Sequence, residues 1–192
     1  MKLYTKFGDK GNTQLYDGTT VSKTSQICDV IGEIDELNVR IGDLAINTNE
    51  IFLREIQYML MNISSLIATP NKNKQSFLPQ VTSEDITLIE RQIDFYHKKV
   101  PPLKEFVIPC YNQANTKAHL CRTHTRTVER KYLELQDRND NIAIYINRLS
   151  DFFFAYSRYL CNDNELKISQ LRNEKKPFSI VSFFKKSISF LF

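Results

Sequence analysis

Apolar residues return along this chain at steps of three and four, and they do so in five separate blocks. Ile34, Leu37, Ile41 and Leu44 mark the first; Ile56, Leu60, Ile63 and Ile67 mark the second, which stops before Pro70. Thr82 opens the third. With Asp85 three positions on, it has the form of a capping box, and Ile86, Ile89, Ile93 and Tyr96 follow on one helical face. Pro101-Pro102 then breaks the chain, and Phe106-Val107-Ile108-Pro109 reads as an extended linker. The fourth block, Ala114, Ala118, Cys121, Thr125 and Val128, is a stripe of mainly small residues that lets neighbouring helices approach closely. The fifth is the clearest: Ile142, Ile146, Leu149, Phe153, Tyr156 and Leu160 alternate four and three apart, the seam expected of nearly antiparallel helices.

Five amphipathic helices on short connections predict an all-α fold, an up-and-down five-helix bundle. Residues 1–24 are polar, bear glycines and lack a helical period, so an ordered loop is expected there, and Asn71 to Pro79 reads as a polar loop. No internal repeat appears. The expected organisation is one bundle over residues 1–175 followed by a basic, Phe-rich tail over 176–192.

Composition narrows the partners. At 192 residues the chain can bury a core without staples, and 42% hydrophobic with 25% charged residues are ordinary globular values. A net charge of +4 is too small to argue for nucleic acid and suits an anionic small molecule at one local site. Cys28, Cys110, Cys121 and Cys161 are dispersed without a Cys-x-x-Cys pair, so neither a zinc cluster nor a redox motif is expected. Met1-Lys2-Leu3-Tyr4 runs straight into a glycine-bearing segment, which leaves no room for a targeting peptide and predicts a cytoplasmic protein with free thiols. The tail's Phe183, Phe184, Phe190 and Phe192 are interrupted by Lys185-Lys186; the segment is too short to span a bilayer, and docking on the bundle or disorder is expected rather than membrane contact.

Three groups of residues carry chemistry. In Gly8-Asp9-Lys10-Gly11, two glycines permit tight turns and close approach to an anion, so amides and the Lys10 ammonium can cradle phosphate; a solvated surface turn is the plainer alternative. Arg122, Arg126 and Glu129 fall at i, i+4 and i+7 on one helix face, opposite much of the small-residue stripe, which also describes an ordinary charged face. Asn147, Asp151 and Phe154 share one side of the last helix, beside the hydrophobic seam. His97, His119 and His124 form no spaced metal-binding pair, so no metal ligand is assigned to the protein. A Walker P-loop is not found, and no Ser or Cys stands beside a histidine as a nucleophile.

Thr5-Lys6-Phe7-Gly8-Asp9-Lys10-Gly11, Gly32-Glu33-Ile34-Asp35-Glu36-Leu37-Asn38 and Asn147-Arg148-Leu149-Ser150-Asp151, with the Arg122/Arg126/Glu129/Arg130 array between them, resemble the PduO-type ATP:cob(I)alamin adenosyltransferases. The resemblance covers roughly residues 1 to 175 and implies a five-helix fold, a homotrimer with sites at the subunit interfaces, and transfer of the 5′-deoxyadenosyl group of ATP to a reduced corrinoid. It implies that Thr5, Lys6, Gly8, Asp9, Lys10, Gly11 and Lys23 wrap the triphosphate with Mg²⁺, and that Arg126 contacts the triphosphate. Glu129 and Asn147 would then hold the nucleoside side, while Arg122 pairs with Asp35 of the next subunit. Arg126, Asp35 and Arg122 are thereby the expected catalytic set. Phe106, Asp151 and Phe154 are implied at the corrinoid site, where apolar side chains favour a four-coordinate cobalt(II) that is easier to reduce. A corrinoid reductase and a B12-dependent acceptor enzyme are the implied protein partners. The sequence departs from the family pattern at Cys110-Tyr111, where relatives carry two glycines, at Thr127, where an arginine is usual, and at Phe7, where a threonine is common. A second reading therefore stands beside the first: a non-catalytic homologue that binds ATP or corrinoid as a carrier or regulator.

Overall fold

The computed structural model describes residue 4, residues 6–109 and 111–161, and residues 166, 167 and 169. Thr5, Cys110 and the tail over 176–192 lie outside the described residues. Five long helices are present: α1 (Gln26–Thr48), α2 (Phe52–Ile67), α4 (Ser83–His97), α5 (Gln113–Leu133) and α6 (Asp140–Tyr159). They pack as neighbours in the order α2, α1, α5, α6, α4. Lys117 meets Asp43 and Lys131 meets Asp29 across α5 and α1, and Asn115 meets Ser157 and Glu129 meets Asn147 across α5 and α6, so both pairs run antiparallel; the short connection after Thr48 returns α2 along α1, where Gln57 meets Asn38. The expected up-and-down bundle is what forms.

Each apolar block faces inward. Ile34, Leu37, Ile41 and Leu44 of α1, and Ile56, Leu60, Ile63 and Ile67 of α2, are all in one buried core with Ile89, Tyr96, Ile142, Ile146, Leu149, Phe153 and Tyr156. Fully burying one such side chain contributes about 1.5–3 kcal/mol. The small stripe of α5 is buried at Ala118, Cys121, Thr125 and Val128, against which α1 and α6 pack from two sides. Burial pushes the Cys121 thiol up to about 12, so it behaves as a small hydrophobe rather than a nucleophile. The capping box of α4 is complete: the Thr82 side chain accepts from the Asp85 N–H, and the Asp85 carboxylate accepts from the Thr82 N–H. Asn112 caps α5 by accepting from the Asn115 N–H, while its own amide donates to the Leu160 carbonyl at 2.8 Å, locking the start of α5 to the end of α6.

Three segments differ from the expectations. Residues 1–24 are more than a loop. Phe7–Lys10 forms a 3-10 turn, and β1 (Asn12–Gln14) pairs antiparallel with β2 (Thr20–Ser22). The hairpin is invisible to periodicity because its strands are three residues long and Leu15 is its one buried apolar residue. Within Asn71 to Pro79, Lys72–Gln75 makes one helical turn, α3, capped by the Asn71 side chain. The extended linker is extended as expected, but Val107–Ile108 is a strand, β3, paired with β4 (Leu166–Lys167), a partner far along the chain.

Candidate functional site

The N-terminal segment is shaped by backbone conformations that its glycines permit. Lys6 and Gly11 both take left-handed conformations (φ 61° and 86°), closing the Phe7–Lys10 turn between them, and the Gly11 N–H donates to the Gly8 carbonyl. The Lys23 N–H donates to the Gly11 carbonyl at 2.9 Å, which returns the end of the hairpin to the loop. Gly8 has a second role. A Cβ there would lie 2.9 Å from Lys23 Nζ, so the missing side chain is the space in which the Lys23 ammonium rests. Lys6, Lys10 and Lys23 are all exposed around this turn, beside the exposed Asp9. Asp17 anchors the hairpin: it accepts from the Thr19 and Asn71 N–H groups, and Lys74 Nζ donates to its carbonyl at 2.6 Å. Those amide donors, the Thr19 N–H first, hold the Asp17 carboxyl below the usual carboxylate range.

The second group lies along the seam where α5 and α6 pack. The row His119, Arg122, Arg126, Glu129 on α5 runs antiparallel to the row Asn147, Asp151, Phe154 on α6, and the two rows meet at both ends. At one end Asn147 Nδ2 donates to Glu129 Oε1 at 2.7 Å; at the other the His119 and Phe154 rings pack edge to face, centroids 6.4 Å apart. Arg148 steadies the polar end, donating through Nη1 to Asn147 Oδ1 at 3.0 Å and through Nε to Glu90 Oε1 at 2.8 Å. Between the ends, Arg122 is half-buried and donates through Nε to His119 Nδ1 at 3.2 Å. Burial, and then the neighbouring charge of Arg126, lower the Arg122 pKa from the ordinary arginine value. Arg126 is exposed and forms no ion pair or hydrogen bond among the described residues. Asp151 is exposed, and Phe106 is 80% exposed just before β3. Tyr111 is exposed at the start of α5, where its N–H donates to Asn115 Oδ1.

Asp35 stands on neither cluster. It is exposed on α1 and, with Thr13, Leu15, Lys23, Cys28 and Asn38, lines a groove of about 580 Å³ between the hairpin, α1 and α2. Among the described residues it has no ion-pair partner, and Arg122 is not one. Its neighbours in the motif do structural work instead. Lys131 of α5 donates to Asp29 at 2.8 Å and to Glu33 at 2.5 Å, contacts that raise the pKa of its ammonium, the Asp29 hydrogen bond first. His124 Nε2 stands 3.1 Å from the Glu33 carboxylate. Glu33, Glu36 and His124 bring ligand atoms within 4.8 Å of one another, but Lys131 already neutralises Glu33 and Arg40 pairs with Glu36, so the group reads as a clamp between α1 and α5.

One chain thus carries two half-sites: the loop with Lys23 and Asp35 on one side, and the α5–α6 rows on the other. No hydrogen bond or ion pair joins Lys10, Lys23 or Asp35 to Arg122, Arg126, Glu129 or Asn147. Every member of the two rows except His119 is a candidate on sequence alone, and Glu90, which holds Arg148 beside Asn147, is not. The signal for His119 was present, since it precedes Arg122 by three residues and so shares its face.

Comparison with known proteins adds the chemistry that such half-sites serve. The family model for cobalamin adenosyltransferase matches residues 3–160. The corrinoid adenosyltransferase of Bacillus subtilis is 37% identical over 172 residues, covering 82% of this chain and 86% of its own. The mouse corrinoid adenosyltransferase MMAB is 34% identical over 170 residues, covering 82% of this chain and 72% of its own. A variant of the PduO-type ATP:corrinoid adenosyltransferase from Lactobacillus reuteri, solved in complex with cobalamin and ATP, superposes with a TM-score of 0.78 at 32% identity, covering 86% of this chain and 98% of that one.

Proposed function

The chain belongs to the cobalamin adenosyltransferase family, and from that premise we propose that it transfers the 5′-deoxyadenosyl group of ATP to a reduced cob(I)alamin or related corrinoid, releasing triphosphate. The cobalt(I) of the corrinoid supplies the electron pair; the cobalt–carbon bond forms as the bond from the 5′ carbon to the triphosphate oxygen breaks. The nucleophile therefore comes with the substrate, and the protein's work is placement, charge neutralisation and exclusion of water.

The observation that carries this reading is the pair of rows meeting across the α5–α6 seam, polar at the Glu129–Asn147 end and aromatic at the His119–Phe154 end. ATP takes the polar end, with Glu129 and Asn147 at the nucleoside and Arg126 at the triphosphate. The corrinoid takes the aromatic end, against Phe154, Phe106 and Asp151. Lys6, Lys10 and Lys23, with the amides of Gly8, Asp9 and Gly11 and with Thr5, close on the triphosphate, which arrives as its Mg²⁺ complex. The catalytic unit is the bundle of residues 1–175, and a separate reductase delivers the electron that makes cobalt(I), before the product passes to a B12-dependent enzyme. Among the described residues no helix is long and apolar enough to cross a membrane.

The two half-sites belong to different subunits of a homotrimer in this proposal. Among the described residues Asp35 and Arg122 each lack a carboxylate–guanidinium partner, and Val39 and Ile46, on the same face of α1 as Asp35, are 69% and 72% exposed. A neighbour covering that face removes the apolar exposure and supplies Arg122 to Asp35.

Anaerobic incubation with ATP and chemically reduced cobalamin, followed by the visible spectrum, tests the reaction. The spectrum of an alkylcobalamin is expected to grow in with release of triphosphate; ligand binding without that change selects the carrier or regulator reading instead. A finer test uses Gly8. Alanine there displaces only the mobile end of Lys23, so folding is retained while the ammonium leaves the loop. Gly8→Ala is expected to weaken ATP binding several-fold, read by calorimetry, with corrinoid KM unchanged; an unaltered ATP affinity removes Lys23 from the site.

A further inference from the structure

We infer that His119 is the positioning residue of the site: it accepts a hydrogen bond from Arg122 through Nδ1 and sets its ring edge against Phe154, so one side chain places both the arginine that faces the next subunit and the aromatic that faces the corrinoid. This rests on the reading of Arg122 and Phe154 given above.

The geometry specifies its chemical state. His119 is only 6% exposed, yet it sits between two groups of opposite character, a guanidinium and a phenyl ring. To accept from Arg122 Nε–H, Nδ1 must present its lone pair, so the ring is neutral with its proton on Nε2. The contact uses Nε of the guanidinium and leaves both Nη groups for a carboxylate, the bidentate geometry that an incoming Asp35 needs. An acceptor lacking a charge is the right partner here. A carboxylate at this position would neutralise Arg122 within its own chain and compete with Asp35, whereas imidazole fixes the side chain and leaves its charge available.

The charged groups around the helix leave that state undisturbed. On α5 these are Arg122, Arg126 and Lys117; on α1, Asp43, which pairs with Lys117; on α6, the exposed Asp151. Of these only the Arg122 charge bears on the imidazole, and burial is the larger effect, the two together holding His119 down to about 4. Because the folded pKa lies below the ordinary histidine value, the unfolded chain binds the extra proton first as pH falls. The stability that the neutral ring contributes to folding is fully present above about pH 6.5 and declines as pH drops toward 4, whereas within the folded protein the hydrogen bond itself is lost only near pH 4, where a proton on Nδ1 sets two cations side by side.

Two substitutions separate the two contacts. His119→Phe keeps a ring against Phe154 and removes the acceptor; His119→Asn keeps an oxygen near the Nδ1 position and removes the ring. His119→Phe is expected to weaken subunit association and lower kcat by about tenfold, the loss of one charged hydrogen bond, with corrinoid KM held within about twofold. His119→Asn is expected to do the reverse, raising corrinoid KM several-fold while the assembly stays as in the parent protein. Light scattering, circular dichroism and steady-state kinetics on the full chain read these effects. If both folded variants change the same parameters, or change none, His119 is core packing and the inference is overturned; failure of either variant to fold without rescue by the other overturns it too. A parent protein that performs no adenosyl transfer sinks the functional reading itself, a result distinct from an active parent whose variants match it.

Discussion

Replacing Arg126 with alanine is expected to lower kcat/KM for ATP by about tenfold or more, the equivalent of one charge-assisted contact worth roughly 1.5 kcal/mol or above. The expectation is sharp because Arg126 makes no ion pair or hydrogen bond among the described residues and lies exposed on α5. Arg122, one turn away, is a like charge, and like pairs at this spacing cost a few tenths of a kcal/mol. Arg126→Ala therefore leaves the folding of the free protein unchanged or slightly improved. An anion bound at Arg126 relieves that repulsion, and the variant loses the relief together with the contact. Thermal unfolding and ATP calorimetry should move apart, stability steady and affinity down. An ATP affinity equal to the parent's would remove Arg126 from the triphosphate site.

Asp35→Ala should disrupt assembly and, with it, activity. Asp35 is exposed and has no ion-pair partner among the described residues, so its loss is expected to cost the fold of the isolated subunit almost nothing. In the proposed trimer the outcome differs, because a neighbour that covers the half-buried Arg122 would desolvate it further and, without Asp35, leave it lacking a counter-charge. Removing one partner of a buried pair costs about 3–5 kcal/mol, and a trimer meets that cost at every interface. The variant is expected to sediment as a monomer at micromolar concentration, with the circular dichroism of the parent, and to show adenosyl transfer far below it. Exchanging the charges, Asp35→Arg with Arg122→Asp, should restore part of the assembly. A parent protein that is itself monomeric at that concentration would sink the interface, and so would a trimeric Asp35→Ala.

The positions of the long helices and the faces they bury were legible in the amino-acid order. Ile34, Leu37, Ile41 and Leu44 are all buried, the Thr82–Asp85 box closes as spaced, and the α5 stripe packs where its small residues allow. These features depend on neighbours three and four positions apart, and the helix itself carries that geometry. The loop motif and the row Arg122, Arg126, Glu129 were also legible, as residue types at a spacing. What the sequence alone left open was decided by contacts between distant segments. The N-terminal hairpin depends on Asp17 meeting Asn71 and Lys74, and β3 on a partner near residue 166. His119 looked like a histidine without a role until the antiparallel packing of α5 and α6 set Phe154 against it and turned its Nδ1 toward Arg122. The separation of Asp35 from Arg122 likewise belongs to the tertiary structure. Local pattern specifies which side of a helix turns inward, because burial follows periodicity, but the charges on the outward side acquire meaning only from what the fold brings near them.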